Sequence, residues 1–119
     1  MTIEKITSLG SINISQEAVA SLAGQAINEC YGVVGMASKK VVRDNIAMLL
    51  KKENFSKGVV VNKTDKGLEV NVYIIVSFGV RISQVVLEAQ KRVKYVLEKT
   101  LQQDINAVNV FVQGVAKKD

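Results

Sequence analysis

Two stretches of the chain repeat apolar residues at the spacing of a helix. The first follows Ser15 and consists of Val19, Leu22, Ala23, Ala26, Ile27 and Cys30. The second, near Ser83, consists of Ile82, Val85, Val86, Ala89, Val93, Val96, Leu97 and Leu101. Apolar residues three and four positions apart are typical of an amphipathic helix. A serine hydroxyl can accept a hydrogen bond from an unpaired N–H of a first helical turn, so Ser15 and Ser83 are predicted N-caps.

Four other stretches have the period of two that is typical of half-buried strands. They cover residues 10–14, 59–63, 68–78 and 108–113, and a turn at 64–67 predicts a hairpin between the second and third. In the third stretch, one face is apolar from Leu68 to Phe78. The other face holds Glu69, Asn71, Tyr73, Ile75 and Ser77. Such alternation favours an antiparallel sheet with one face on the core.

The order of these elements predicts an α+β fold. The chain is expected to be a single domain, residues 1–119, in the order β-α-(short α)-β-β-α-β. Two long helices would pack on one face of a mostly antiparallel four-stranded sheet, in an arrangement like the split βαβ motif. The apolar, glycine-bounded residues 33–36 are expected to form a tight buried connection. The opposite face of the sheet would then have no helix over it.

A basic and less regular insert at about residues 37–57 interrupts this pattern. The chain has a formal net charge of +5, and most of it comes from the middle of the sequence. A short helix starting at Asp44 is expected here. The candidate basic patch consists of Lys39, Lys40, Arg43, Lys51 and Lys52. It has three interpretations: a solvated surface, a weak contact with anionic lipid, or the binding surface of a small RNA-binding module.

The residue types present exclude several kinds of catalytic site. The chain has no histidine and one cysteine, so a Cys–His pair, histidine metal ligands and a cysteine metal cluster are all excluded. Cys30 lies on the apolar side of the first helix, where it is expected to act as a small hydrophobic residue. The acidic residues fall at caps, turns and polar helix faces. We therefore expect no catalytic residues, no metal site, no cofactor and no enzymatic activity.

Several segments together resemble the alkaline shock protein (YloU-like) family of Gram-positive bacteria. In the first half these are residues 10–15, the alanine-rich helix and the run Gly-Val-Val-Gly-Met at 32–36. In the second half they are residues 56–61, 68–76, 78–82, 108–112 and 114–115. The resemblance covers about residues 9–116. The basic stretch 39–43 departs from it, where glycine-rich versions are expected.

The resemblance implies a non-enzymatic protein of cell-envelope homeostasis and the alkaline stress response. Some members of the family self-assemble and collect at the membrane through a membrane-anchored partner. Others are encoded beside a dihydroxyacetone-kinase-like protein. We therefore expect a cytoplasmic homo-oligomer that docks to a protein partner of one of these two kinds. Contact with the membrane would be indirect, and no nucleic-acid partner is expected.

The candidate interface lies on the sheet face that the helices leave uncovered. The alternation along the predicted strands places four apolar residues on this face: Val60, Tyr73, Ile75 and Phe111. An exposed apolar patch of this kind usually marks a binding site for another molecule. Alternatively, residues 37–57 of the same chain cover it.

Overall fold

A computed structural model describes residues 2–37 and 58–117. It contains two helices, α1 (Gln16–Asn28) and α2 (Ile82–Leu101). The six strands are β1 (Thr2–Thr7), β2 (Gly10–Ser15), β3 (Val33–Met36), β4 (Val59–Thr64), β5 (Gly67–Ser77) and β6 (Ile105–Ala116). The predicted α+β class is confirmed. The predicted short helix at 44–52 lies outside the described residues.

The main sheet is built around β5. Strands β3 and β4 pair antiparallel with β5 along one of its edges, β3 beside Ile74–Val76 and β4 beside residues 67–72. Strand β6 pairs with the other edge and runs parallel to β5. The main sheet therefore has four strands, but it is three strands wide at any point.

The parallel pairing of β5 and β6 corrects the split βαβ prediction. Helix α2 has 20 residues and so extends about 30 Å, close to the length of the strand before it. It returns the chain to the start of β5, where Ile105 pairs with Leu68. The unit β5–α2–β6 is therefore a direct βαβ crossover between neighbouring strands.

The first predicted strand is not part of the main sheet. Residues 10–15 form β2, which pairs only with β1 in a separate two-stranded hairpin within the described residues. The fourth place in the main sheet belongs to β3, which was expected to be a tight buried connection. Both differences arise because local alternation specifies a strand but does not specify its partner.

Both helices pack on the same face of the main sheet. One apolar cluster contains the buried side of α1, the buried side of α2 and the inward residues of β5 from Leu68 to Val76. Its largest fully buried side chains include Ile27, Met36, Ile74 and Leu97. Two helices over one sheet face were predicted, and this part of the fold is as expected.

The two helices begin differently. The Ser15 hydroxyl accepts a hydrogen bond from the Ala18 N–H at 3.1 Å, so the predicted cap of α1 is confirmed. The prediction for Ser83 is wrong. Helix α2 is already formed at Ile82, and the carbonyl of Arg81 accepts hydrogen bonds from the N–H groups of Gln84 and Val85.

Candidate functional site: the sheet face away from the helices

The face of β5 that points away from the helices is partly exposed over its first half. Asn71 and Tyr73 are half-buried, whereas their neighbours in the chain belong to the core. Asn109 and Phe111 of β6 are the partners of Asn71 and Tyr73 across the strand pair, and both are exposed. With Val60 of β4, which pairs with Asn71, these five residues are called the open face.

An aromatic pair lies at the centre of the open face. The rings of Tyr73 and Phe111 are stacked, with their centroids 4.9 Å apart and their planes at 14°. Phe111 nevertheless retains 45% of its surface exposed. The segment 38–57, which could alternatively cover this face, lies outside the described residues. The stack already restricts both rings in the free protein. The binding of a partner would therefore cost little further side-chain entropy of Tyr73 and Phe111.

A polar pair lies next to the aromatic pair. The side-chain amide of Asn109 donates a hydrogen bond from Nδ2 to Oδ1 of Asn71 at 2.8 Å. This bond does not use the Oδ1 and second N–H of Asn109 or the two N–H groups of the Asn71 amide, so they can bind a partner. The sequence analysis did not select these asparagines. The alternating pattern could have identified them, because each asparagine occupies an outward position two residues before a predicted interface residue.

Three of the four predicted interface residues come together in the structure. Val60 is half-buried beside Asn71, and Tyr73 contacts Phe111. Ile75 differs, because it is 3% exposed and its side chain is not available to a partner. Its neighbours across both strand pairs are glycines, Gly35 on β3 and Gly114 on β6. Register shifts beside both glycines interrupt the regular pairing at Ile75, so simple alternation does not predict its exposure. The expected exposure of Ile75 was therefore wrong.

The predicted basic patch lies outside the described residues. This holds for Lys39, Lys40, Arg43, Lys51 and Lys52 alike. Residues Ala37 and Gly58, which flank the segment, meet at the edge of the main sheet. A Cβ atom at position 58 would lie 2.7 Å from the Ala37 carbonyl oxygen. The basic insert therefore leaves and rejoins the described structure at one point.

A shallow groove of about 400 Å³ lies between the end of α1 and the first half of α2. Its lining includes Cys30, Tyr31 and Val85, together with Glu29 and Arg92. The last two form an ion pair at 2.8 Å, but both side chains are more than half exposed, so the pair adds little stability. The groove is open to solvent on the opposite side of the molecule from the open face, since the helix layer separates them.

Burial raises the pKa of the Cys30 thiol above its ordinary value, and the carboxylates of Glu88 and Glu29 act in the same direction. The guanidinium of Arg92 partly opposes them. The thiol also donates a weak hydrogen bond to the Ala26 carbonyl at 3.4 Å. These contacts favour the protonated form, so the thiol is a weak nucleophile near neutral pH.

The raised pKa of Cys30 predicts a pH effect of a definite sign. The folded state holds the thiol proton more tightly than the unfolded state does, so part of the stability should be lost as pH rises above the ordinary thiol range. Replacing Cys30 by alanine should remove this alkaline component, and the folded wild-type thiol should react with iodoacetamide more slowly than the unfolded one at pH 8. Equal alkylation rates, or the same pH profile in the variant, would contradict this assignment.

Two further structural findings concern metals and membranes. Among residues 2–37 and 58–117, no group of three His, Cys, Asp or Glu side chains is arranged to hold a metal ion. Neither helix in these ranges combines the length and apolar character needed to cross a bilayer.

Comparison with known proteins places this fold in a family. The sequence profile of the alkaline shock protein 23 family, which has a cell envelope-related function, matches residues 4–117. The chain is 45% identical to uncharacterized protein YloU of Bacillus subtilis (strain 168), over 97% of this chain and 96% of that protein. It is 46% identical to uncharacterized protein Spy1614 of Streptococcus pyogenes serotype M6, over 97% of this chain and 95% of that protein.

A more distant relative also matches most of this chain, at lower identity. Uncharacterized protein YqhY of Bacillus subtilis is 31% identical over 92% of this chain and 79% of its own length. No solved structure matches the chain.

Proposed function

The chain belongs to the alkaline shock protein 23 family, whose function is related to the cell envelope, and we propose that it serves there as a non-enzymatic interaction protein. In this proposal it self-associates and docks to a protein partner during envelope homeostasis and alkaline stress. The partner is either a membrane-anchored protein or a dihydroxyacetone-kinase-like protein. The protein itself acts in the cytoplasm and reaches the membrane through that partner.

The observation that carries the proposal is the Tyr73–Phe111 stack on the open face. The rings project from β5 and β6, the two longest strands of the main sheet, so the sheet fixes their position. Aromatic side chains contribute large contact areas and are frequent among the residues that dominate binding energy. The hydrogen-bonded asparagines beside the stack supply polar groups at its margin, as is usual around the apolar centre of a protein interface.

The chemistry of Cys30 supports a non-enzymatic role. A nucleophilic cysteine requires a thiolate, and its surroundings here raise the pKa of the thiol. The chain also has no histidine to act as its base.

Replacing Phe111 by glutamate tests the docking surface. The carboxylate would have to lose its hydration at the centre of the contact, so we expect the assembly mass to fall and the co-purifying partner to be lost. Light scattering and affinity purification from the native cell measure these two quantities. Circular dichroism and the melting temperature should change little, because Phe111 is 45% exposed.

Tyr95→Glu is the matched control. Tyr95 is an aromatic residue that is 52% exposed, and it lies on α2, in the helix layer. The substitution introduces the same charge as Phe111→Glu. We expect it to leave both the assembly mass and the partner unchanged. If the two variants behave alike, or if neither changes either quantity, docking through the open face is wrong.

A further inference from the structure

Strand β6 has one edge without a partner. It pairs with β5 along one side, and in the described part of the chain no strand pairs with its other side. The Val108 carbonyl lies on that free side, where it accepts a hydrogen bond from Nε2 of Gln90 on α2 at 2.9 Å. Because backbone direction alternates along a strand, the N–H and C=O groups of Val110 and Val112 also point to the free side.

The free edge of β6 lacks the charged and proline residues that often prevent strands from pairing with other molecules, and its register shifts lie only near its ends. Proteins protect such edges with charged side chains, proline or a covering element. The 12 residues of β6, INAVNVFVQGVA, contain no charge and no proline. The pairing with β5 shifts register before Ala107 and after Val112, so the regular part of the strand runs from 107 to 112. In this part, the Gln90 side chain blocks only the carbonyl of Val108.

The opposite edge of the main sheet is different. It is divided between β3, with four residues, and β4, with six. Strand β4 carries Lys63, which is exposed, and the ends of the basic insert meet between the two strands. That edge is therefore short, interrupted and partly charged. Within the described part of the main sheet, a long uncharged edge lies only on the β6 side.

We propose that β6 pairs antiparallel with β6 of a second copy of this chain, about a two-fold axis. This deepens the proposed function and rests on its self-association component. Each free N–H and C=O of Val110 and Val112 would then find a backbone partner, and two main sheets would become one continuous sheet.

The uncharged composition of β6 favours a second copy as the occupant over a charged partner. Two copies that each carry a net charge of +5 repel one another, so they meet at least cost along a strand that has no charge. A two-fold pairing also places each outward side chain opposite another outward side chain of β6. These are Asn109, Phe111 and Gln113, whose amides and ring are acceptable opposite one another. An acidic partner recognised by charge would find no basic side chain on this strand.

Two oppositely charged variants test the pairing. One carries Asn109→Lys with Gln113→Lys, and the other carries Asn109→Glu with Gln113→Glu. Both positions are exposed, so the fold should remain, as circular dichroism can verify. Each variant alone would place like charges across the two-fold axis, and its dimerisation should weaken by about tenfold or more in sedimentation experiments. An equal mixture should recover the dimer, because opposite charges then lie across the two-fold axis.

Amide hydrogen exchange provides the second readout. In the wild-type dimer, the N–H groups of Val110 and Val112 should exchange slowly, and in either charged variant alone they should exchange rapidly. A contact made through the side chains of the open face would leave both N–H groups fast in the dimer.

Three results would overturn the edge pairing: a wild-type chain that stays monomeric at high concentration, charged variants that dimerise as the wild type does, or a mixture that does not recover the dimer. The binding of another protein to the open face is measured by co-purification with Phe111→Glu. Because Phe111 also lies on β6, the partner signal of this variant, and not its assembly mass, reports on the open face. If that variant loses its partner while the mixture fails to dimerise, the edge pairing is wrong and the proposed docking function remains.

Discussion

Replacing Leu97 by alanine is expected to lower the free energy of unfolding by about 2–5 kcal/mol. Leu97 is 0% exposed and lies on α2 within the single apolar cluster that joins both helices to the main sheet. The substitution removes the transfer free energy of the buried methyl groups and leaves a cavity that close-packed neighbours fill only in part. Urea denaturation followed by circular dichroism measures the change.

Leu87→Ala is the matched control for Leu97→Ala. It makes the same chemical change on the same helix, but Leu87 is 45% exposed. Its cost should stay below about 1 kcal/mol, since little apolar surface leaves the core. A similar loss of stability in both variants would mean that α2 does not pack on the sheet through the side that contains Leu97.

Replacing Gly32 by alanine is expected to cost about 2–4 kcal/mol, because two penalties coincide. Gly32 has a φ of +88°, a backbone conformation that residues with a Cβ rarely adopt. A Cβ at this position would also lie 2.6 Å from Cγ2 of Val85, so the Val85 side chain or the turn at Gly32 would have to shift. The Gly32 carbonyl accepts a hydrogen bond from the Ser77 N–H at 2.9 Å, and a shift of the turn would disturb it. Thermal and urea denaturation measure the loss.

Gly79→Ala separates the two penalties. Gly79 has a φ of +83°, but a Cβ there would meet no atom within 4 Å. The alanine variant should therefore show the backbone cost alone, about 1 kcal/mol. Val85→Ala in the Gly32→Ala background should recover part of the loss by removing the contact. If Gly32→Ala costs no more than Gly79→Ala, the contact between this turn and α2 is not as described.

The elements that repeat a local pattern could be predicted from the sequence. The alternation along β5 identified the core face correctly from Leu68 to Val76, and the apolar spacing identified the buried sides of both helices. Phe78 was assigned to the same face as Leu68, but β5 ends at Ser77 and Phe78 is 67% exposed. The boundary was missed because the alternating pattern continues one residue beyond the strand.

Strand pairing could not be predicted in the same way. Nothing within residues 10–15 indicates that β2 pairs with β1 instead of β5, because the alternation of a strand does not specify its partner. The parallel direction of β6 depends on whether α2 is long enough to return the chain to the start of β5. It is therefore a property of β5, α2 and β6 together. Such relations are fixed by packing over the whole fold.

The candidate site was predicted in part for the same reason. The alternation of side chains along each strand correctly placed Tyr73 and Phe111 on one face. The register of β5 and β6 brings their rings into contact. Ile75 has the same parity but lies between two glycines at register shifts, which the sequence pattern did not reveal. The hydrogen bond between Asn71 and Asn109 depends on the same register.

Site-specific photo-crosslinking in the native cell tests the central claim most directly. A photoreactive phenylalanine derivative at position 111 keeps an aromatic ring on the open face, and the same group at position 95 lies on the helix layer with similar exposure. We expect position 111 to form a discrete protein adduct, identifiable by mass spectrometry, and position 95 to form none. Efficient crosslinking at position 95 with none at position 111 would show that other molecules meet this protein on its helices.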